Sequence, residues 1–219
     1  MRGYYKSSPA RYSYLRKDLT MLLAYAACEM QRRFPGTTPV ALGDLSQADG
    51  RTPGTDVGSL RHGSTTHTGN DMDIAYFQTD GANNYQIVCG DGSDENGNGE
   101  MGRYNDGSFC TTDMNIVDWE REGYWFAKLA ESPLTRVFGL DQTFPDDILA
   151  QAQRLLMRGE ISNEVYDRMT TLGYGAAGGW QFHHHHSHMS YLRPSARSVG
   201  PGKLDLRERC GLDMECPEL

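Results

Sequence analysis

The sequence predicts an α+β fold: a small, mainly antiparallel sheet flanked by helices and joined by long loops. Three observations predict it. Segments of helical period alternate with short apolar runs of strand length along the chain. No strand-like run leads into a glycine-rich phosphate loop, which argues against a parallel nucleotide-binding sheet. Apolar residues make up only 38% of the 219 residues while glycine reaches 25, so much of the chain must be loop. That length fits a single domain, 1–219, able to bury a real core.

Residues 13–34 carry apolar positions at helical spacing and stop at Pro35-Gly36. VALGDL (40–45) reads as a short strand, and the Gly-, Ser- and Thr-rich residues 46–70 as an ordered loop. MDIAYF (72–77) and YQIVC (85–89) read as strands joined by a turn around Asp80-Gly81. Residues 90–109 almost lack large apolar side chains and form a loop insertion. A helix is expected over 114–132 with Asp113 as its N-cap, then a buried strand at TRVFGL (135–140). Two more helices follow, the first starting after Pro145 and the second at SNEVYDRMTTLG, each ending at glycine. GWQFHHHHSHMSYL reads as a strand, and the tail from Pro194 as irregular.

Net charge is −8 and no basic stripe interleaves with aromatics, which argues against a nucleic-acid partner. MLLAYAA (21–27) is too short to span a membrane and continues into CEMQRR, as an amphipathic helix does. The polar, Tyr-rich stretch from Arg2 to Arg16 is not a signal peptide. Cys89/Cys110 and Cys210/Cys216 bracket loop-like sequence and are candidate disulfides, which would place the protein in an oxidising compartment; Cys28 is left over on a helix. None forms a CxxC pair, so a structural zinc site is not expected.

The chemistry gathers in two clusters. His183, His184, His185, His186 and His188 account for five of the seven histidines. The run is internal, broken by Ser187 and flanked by Trp180, Phe182, Met189 and Tyr191, so it reads as a strand and not as a purification tag. Positions i and i+2 of a strand share a face, so His186 and His188 can look into one cleft; His183 and His185 join them only through a bulge or a later strand start. The other cluster, HGSTTHTGNDMDIAYF, holds His62, His67, Asp71 and Asp73. Gly69 permits a tight turn that brings His67 back toward Asp71 or Asp73, and Asp73 leads into the apolar strand IAYF. Imidazole and carboxylate are the ligands of a catalytic zinc, which uses three protein ligands and keeps one position open. An HExxH helix is absent.

GDLSQ (43–47), TGNDMDI (68–74) and His183-x-x-His186-x-His188 together resemble the penicillin-insensitive murein endopeptidases. That family belongs to a wider group of zinc peptidases with the lysostaphin-type enzymes and the D-Ala-D-Ala carboxypeptidases. The resemblance spans most of residues 40–192. It implies one Zn2+ in a loop-rimmed cleft, held by His67, Asp73 and His188, with His186 and His183 stabilising or protonating the tetrahedral intermediate. It implies a peptidoglycan peptide as substrate, cleaved at a D-alanyl to diaminopimelate cross-link, and a periplasmic or secreted location. One departure stands out: His67 lies one position closer to Asp73 than the family pattern has it, and Thr66 occupies the histidine's place. Asp71 is the alternative ligand, through the HxGxD spacing, and His62 the weaker substitute for His67. The carboxypeptidase branch has a Glu where this chain has His185, so the general base is open between a histidine and Asp71.

A second cation reading concerns Ca2+. Asp94, Asn96, Asn98 and Gly99 fit the first half of a calcium loop, but the twelfth position is Asn105 and not a bidentate Glu. The competing functional class is a non-catalytic module that binds peptidoglycan or metal through the same His/Asp site. Oligomeric state is not readable from the sequence.

Overall fold

The computed structural model describes residues 3–62, 68–89, 115–141, 144–172 and 183–192. In chain order the strands are β1 (Tyr4–Lys6), β2 (Val40–Leu42), β3 (Asp71–Ala75), β4 (Val88–Cys89), β5 (Asn115–Ile116), β6 (Thr135–Gly139) and β7 (His186–Tyr191). The helices are α1 (Lys17–Arg33), α2 (Trp119–Ala130), α3 (Pro145–Met157) and α4 (Asn163–Thr171). Five strands form a mixed sheet in the order β1-β2-β3-β7-β6. Only β1 and β2 run parallel there; the β2/β3, β3/β7 and β6/β7 ladders are antiparallel. The fold is α+β with a mainly antiparallel sheet, as the sequence predicts. No helix among the described residues is long and apolar enough to cross a membrane.

The helices follow their sequence signals with two shifts. α1 buries Leu19, Leu22, Leu23, Ala26 and Met30, a stripe at three- and four-residue spacing, and ends before Gly36 at φ +83°. It starts later than predicted because Ala10–Tyr12 form a 3-10 turn and Tyr14 bridges Ser46. α2 begins at Trp119 and not at 114, and its cap is Asp118, whose side chain accepts from the Arg121 N–H at 3.1 Å. The residues before it are diverted into strand: Asn115–Ile116 pair with Val88–Cys89, and Val117 bridges Gln78. α3 has Pro145 in its first turn, and Ser162 caps α4 through Val165 N–H at 3.2 Å.

Two strand expectations need correction. YQIVC contributes only Val88–Cys89, and to a separate parallel pair with β5 instead of a hairpin with β3. β1 has no counterpart in the prediction; three residues, pairing in parallel with a strand far along the chain, leave no periodic trace. Cys28 lies on α1, packed against the core, while Cys110, Cys210 and Cys216 lie outside the described residues.

The register of β3 against β7 separates core from site. Met72 pairs with Met189 and Ile74 with Ser187, while Asp71, Asp73 and Ala75 pair with Ser190, His188 and His186. Partners directly across a ladder share a face. Met72, Ile74 and Met189 therefore join one apolar cluster with Phe138 and residues of all four helices. Phe126 of α2 lies 4.5 Å from Phe138 between ring centroids, and Trp125 lies 5.7 Å from Phe77. Burial of each such side chain stabilises the fold by about 2 kcal/mol. The opposite face of β3 and β7 carries the carboxylates and imidazoles.

Glu122 ties α2 to the end of the β3 segment. It is fully buried, accepts from the Phe77 N–H at 2.8 Å through one oxygen, and leaves the other oxygen without a partner. Burial raises its pKa to about 8. A carboxyl protonated in the fold and ionised in the unfolded chain loses stability as pH rises. Between the unfolded value of 4.5 and about 8, stability should fall by at most about 1.4 kcal/mol per pH unit on this account. Glu122→Gln keeps the acceptor and should flatten that slope in urea melts at pH 5, 6.5 and 8. An unchanged slope would show that Glu122 is not the group responsible.

Candidate active site

Asp73 is the centre of the polar face. His188, its cross-strand partner, turns Nδ1 to Asp73 Oδ1 at 3.0 Å and Nε2 to Asp71 Oδ1 at 3.4 Å. Asp71 also accepts from Ser190 Oγ at 2.6 Å, so the second carboxylate is committed to holding β7. All three of Asp71, Asp73 and His188 are buried. Burial lowers the pKa of His188, but the two carboxylates outweigh it and raise it to about 9.

His186 shares the face and brings Nε2 to 3.6 Å from Asp73 Oδ1. Burial lowers its pKa to about 3, against the pull of Asp73 and with the help of neighbouring His183, His185 and His188. Two imidazoles one strand repeat apart are thus driven in opposite directions, one cationic and one neutral at neutral pH. His183 packs tilted against His186 at 4.7 Å between ring centroids and reaches His188 edge-on at 6.4 Å. It does so from just before β7, whose approach is pinned by Tyr76 Oη on the His183 carbonyl (2.8 Å) and Val88 N–H on the His184 carbonyl (2.9 Å).

A third group arrives from the chain after β2. The Gly43 N–H bonds the Asp73 carbonyl at 2.9 Å, and the Asp73 N–H reaches the Asp44 carbonyl at 3.4 Å, so GDLS continues alongside the carboxylate. The buried Asp44 side chain accepts from Ser8 Oγ and from Arg61 Nε at 2.6 Å, and contacts His62 Nε2 at 3.1 Å. Burial pushes its pKa up, yet these hydrogen bonds bring it down to about 2. His62 Nε2 also lies 3.8 Å from Asp73 Oδ2. Lys6 of β1 bonds the Gly43 carbonyl at 2.5 Å, and burial lowers its pKa to about 8 despite Asp44 and Asp73 nearby.

Of the residues singled out in the sequence, Asp73, His188, His186 and His183 come together here, with Asp71 beside them. His67 lies outside the described residues, as do Asp94, Asn96 and Asn98 of the candidate calcium loop. His62, the weaker substitute, is within reach of Asp73. Asp44 and Tyr85 escape the sequence reading. Asp44 belongs to a quoted motif without a role, and Tyr85 to the predicted strand YQIVC, where the sequence shows no chemical role for it. Tyr85 stacks on His186 at 5.4 Å and 25° between planes, and a Cβ on Gly43 would collide with its hydroxyl.

The donor set suits zinc chemically, being imidazole nitrogens around a carboxylate. Ligands of a tetrahedral ion at about 2.0–2.1 Å lie about 3.3 Å from one another. The three nitrogens stand 3.0, 3.6 and 3.8 Å from Asp73 oxygens, close to that spacing. Among the described residues, however, no three His, Cys, Asp or Glu side chains already take up metal-ligating positions. The contacts fan out from both Asp73 oxygens, and His188 spends both nitrogens on carboxylates. Ligation requires the proton between His188 and Asp73 to leave.

In the metal-free protein Asp71→Asn should lower the pKa of His188 from about 9, read by NMR titration of its ring protons. A raised histidine stabilises the fold fully below its ordinary 6.5 and loses that contribution as pH rises through about 9, so the variant should lose most stability at acid pH. An unmoved His188 titration would show that Asp71 is not its partner. Compared with protein-family models, with curated proteins and with solved structures, the chain matches none.

Proposed function

We propose that the chain is a zinc-dependent endopeptidase acting on the peptide cross-links of peptidoglycan, of the D-alanyl to diaminopimelate type. The observation that supports it most is the gathering of three imidazoles, His62, His186 and His188, within 3.8 Å of the one buried carboxylate of Asp73. The peptidoglycan substrate rests on the motif resemblance of GDLSQ, TGNDMDI and His183-x-x-His186-x-His188.

Asp73 and His188 would hold the ion, with His67 or His62 as the third ligand. A zinc ion bound there supplies Lewis-acid polarisation of the scissile carbonyl and a lowered pKa for attacking water. Asp71 takes the far nitrogen of His188 and so fixes which ring atom faces Asp73, the control a ligating histidine needs. Because Asp71 is already engaged by His188 and Ser190, proton transfer falls to an imidazole. His186, neutral and with Nε2 beside Asp73, is placed to carry the proton, and His183 supports its ring.

Digestion of purified cross-linked peptidoglycan, with and without a chelator, tests the reading by mass spectrometry. Chelator-sensitive conversion of dimeric to monomeric muropeptides is the expected result. His188→Ala should lose both zinc and activity, whereas His186→Ala should keep one zinc per chain and lose turnover by about 100-fold or more. One bound zinc without any cleavage would instead assign a binding module. Full activity in His186→Ala would remove its role as proton carrier.

A further inference from the structure

β6 carries one residue more than the strand it pairs with. Thr135 stands opposite Tyr191 and Val137 opposite Ser190, so Arg136 is the extra residue of a bulge. A bulge re-aims the side chain it carries, and such irregularities are frequent beside active sites. Here it turns the guanidinium toward the polar face of the sheet. Arg136 Nη2 donates to Ser190 Oγ, and Ser190 Oγ donates to Asp71 Oδ1 at 2.6 Å. Asp71 in turn stands 3.4 Å from Nε2 of His188. Ser190 and Asp71 are buried, whereas Arg136 is exposed. Of its five N–H groups, the bond to Ser190 uses one. Arg16, Arg33, Arg61 and Arg121 each hold a carboxylate, but Arg136 holds none among the described residues. An exposed arginine needs no such partner for stability, since surface ion pairs contribute little. Its placement is the informative part. A cation is fixed at the open end of a hydrogen-bond chain that begins at His188, and Ser190 lies two residues beyond His188, about 7 Å along the strand.

We propose that Arg136 determines specificity by binding a carboxylate on the residue that leaves with the amine. The choice of ligand rests on the reading of this site as a hydrolase of D-alanyl to diaminopimelate cross-links. In such a link the carbon that bears the scissile nitrogen also bears a carboxylate. That group lies about 3.5 Å from the scissile carbonyl, the span of one residue. A charge-assisted hydrogen bond adds about 2.8 Å, and the sum is comparable to the separation of Ser190 from His188. A planar guanidinium suits this ligand, because two parallel N–H groups meet both carboxylate oxygens at once. Ser190 takes another N–H and holds the fork in place, so less freedom is lost on binding. The carboxylate does not react. Its contact is therefore equally strong in bound substrate and transition state, and it is felt in KM and not in kcat.

Two muropeptide dimers test this, one with that carboxylate free and one with it converted to the amide. The parent should favour the free acid by about tenfold in KM, with kcat within about threefold. In Arg136→Ala that preference should fall to near one, with one zinc still bound per chain. Arg136→Lys keeps the charge without the fork and should recover part of the preference. Titration calorimetry of the same dimers against the metal-free proteins should read the same preference in Kd, without turnover. Equal preference in the parent and Arg136→Ala, or none in the parent, overturns the Arg136 role and leaves the hydrolase reading standing. Loss of zinc from Arg136→Ala also overturns it, since the residue would then act through Ser190 and Asp71 on His188. Absence of cleavage by the zinc-loaded parent overturns the hydrolase reading. An Arg136-dependent preference in calorimetry would then still support recognition of the carboxylate, and its absence would overturn both.

Discussion

The pairing of Asp73 with His188 across the two central strands is the contact on which the rest of the arrangement depends. Both side chains are buried, and a buried charge is tolerable only when it is paired and hydrogen-bonded. Their register also sets what lies on the other face. Sliding β7 by one residue would carry Met189 into the polar face and His188 into the cluster of Met72, Ile74 and Phe138. The apolar core and the ionic pair thus demand the same alignment, and each makes the other's failure more costly.

From that alignment follows the division of labour between the imidazoles. His188 is flanked by two carboxylates and leans toward the cation, whereas His186 is buried beneath Tyr85 among other histidines and leans toward the neutral ring. Titratable groups pushed apart by their surroundings are a mark of sites that move protons, although structural ion pairs produce the same effect. Asp73 and Asp71 face the two ring nitrogens of His188, while Nδ1 of His186 is buried without a hydrogen-bond partner.

How much of this was legible in the sequence follows from the range of each interaction. The i, i+2 spacing of His186 and His188 needs only a strand, and the strand is local, so their shared face could be read directly. The placement of Asp73 at the head of an apolar run was readable for the same reason. Asp44 and Tyr85 were not, because their meaning comes from chain segments brought together only in the fold: Ser8 and Arg61 onto Asp44, and Gly43 under Tyr85. The late start of α2 has a similar cause. Asn115 to Val117 are compatible with helix, and only the arrival of Val88–Cys89 and Gln78 draws them into strand. β1 is a three-residue piece whose existence depends on a parallel partner more than thirty residues away.

In the proposed hydrolase a carboxylate that holds the ion would need a fixed position more than a strong bond, because errors of a fraction of an ångström already cost rate. β3 meets that requirement by being held along its whole length through buried polar contacts. Gly43 and Asp44 clamp the backbone of Asp73 on one side, and β7 clamps it on the other. Beyond its end, Glu122 takes the Phe77 N–H from within the helical layer and does so as a neutral acid. An amide in Glu122's place would hold the same N–H, whereas the Asp73 carboxylate stands within 3.8 Å of three imidazoles. The strand is thus anchored by a neutral acid beyond its far end and by a buried charged pair on its polar face, the rigidity that the proposed hydrolysis would need.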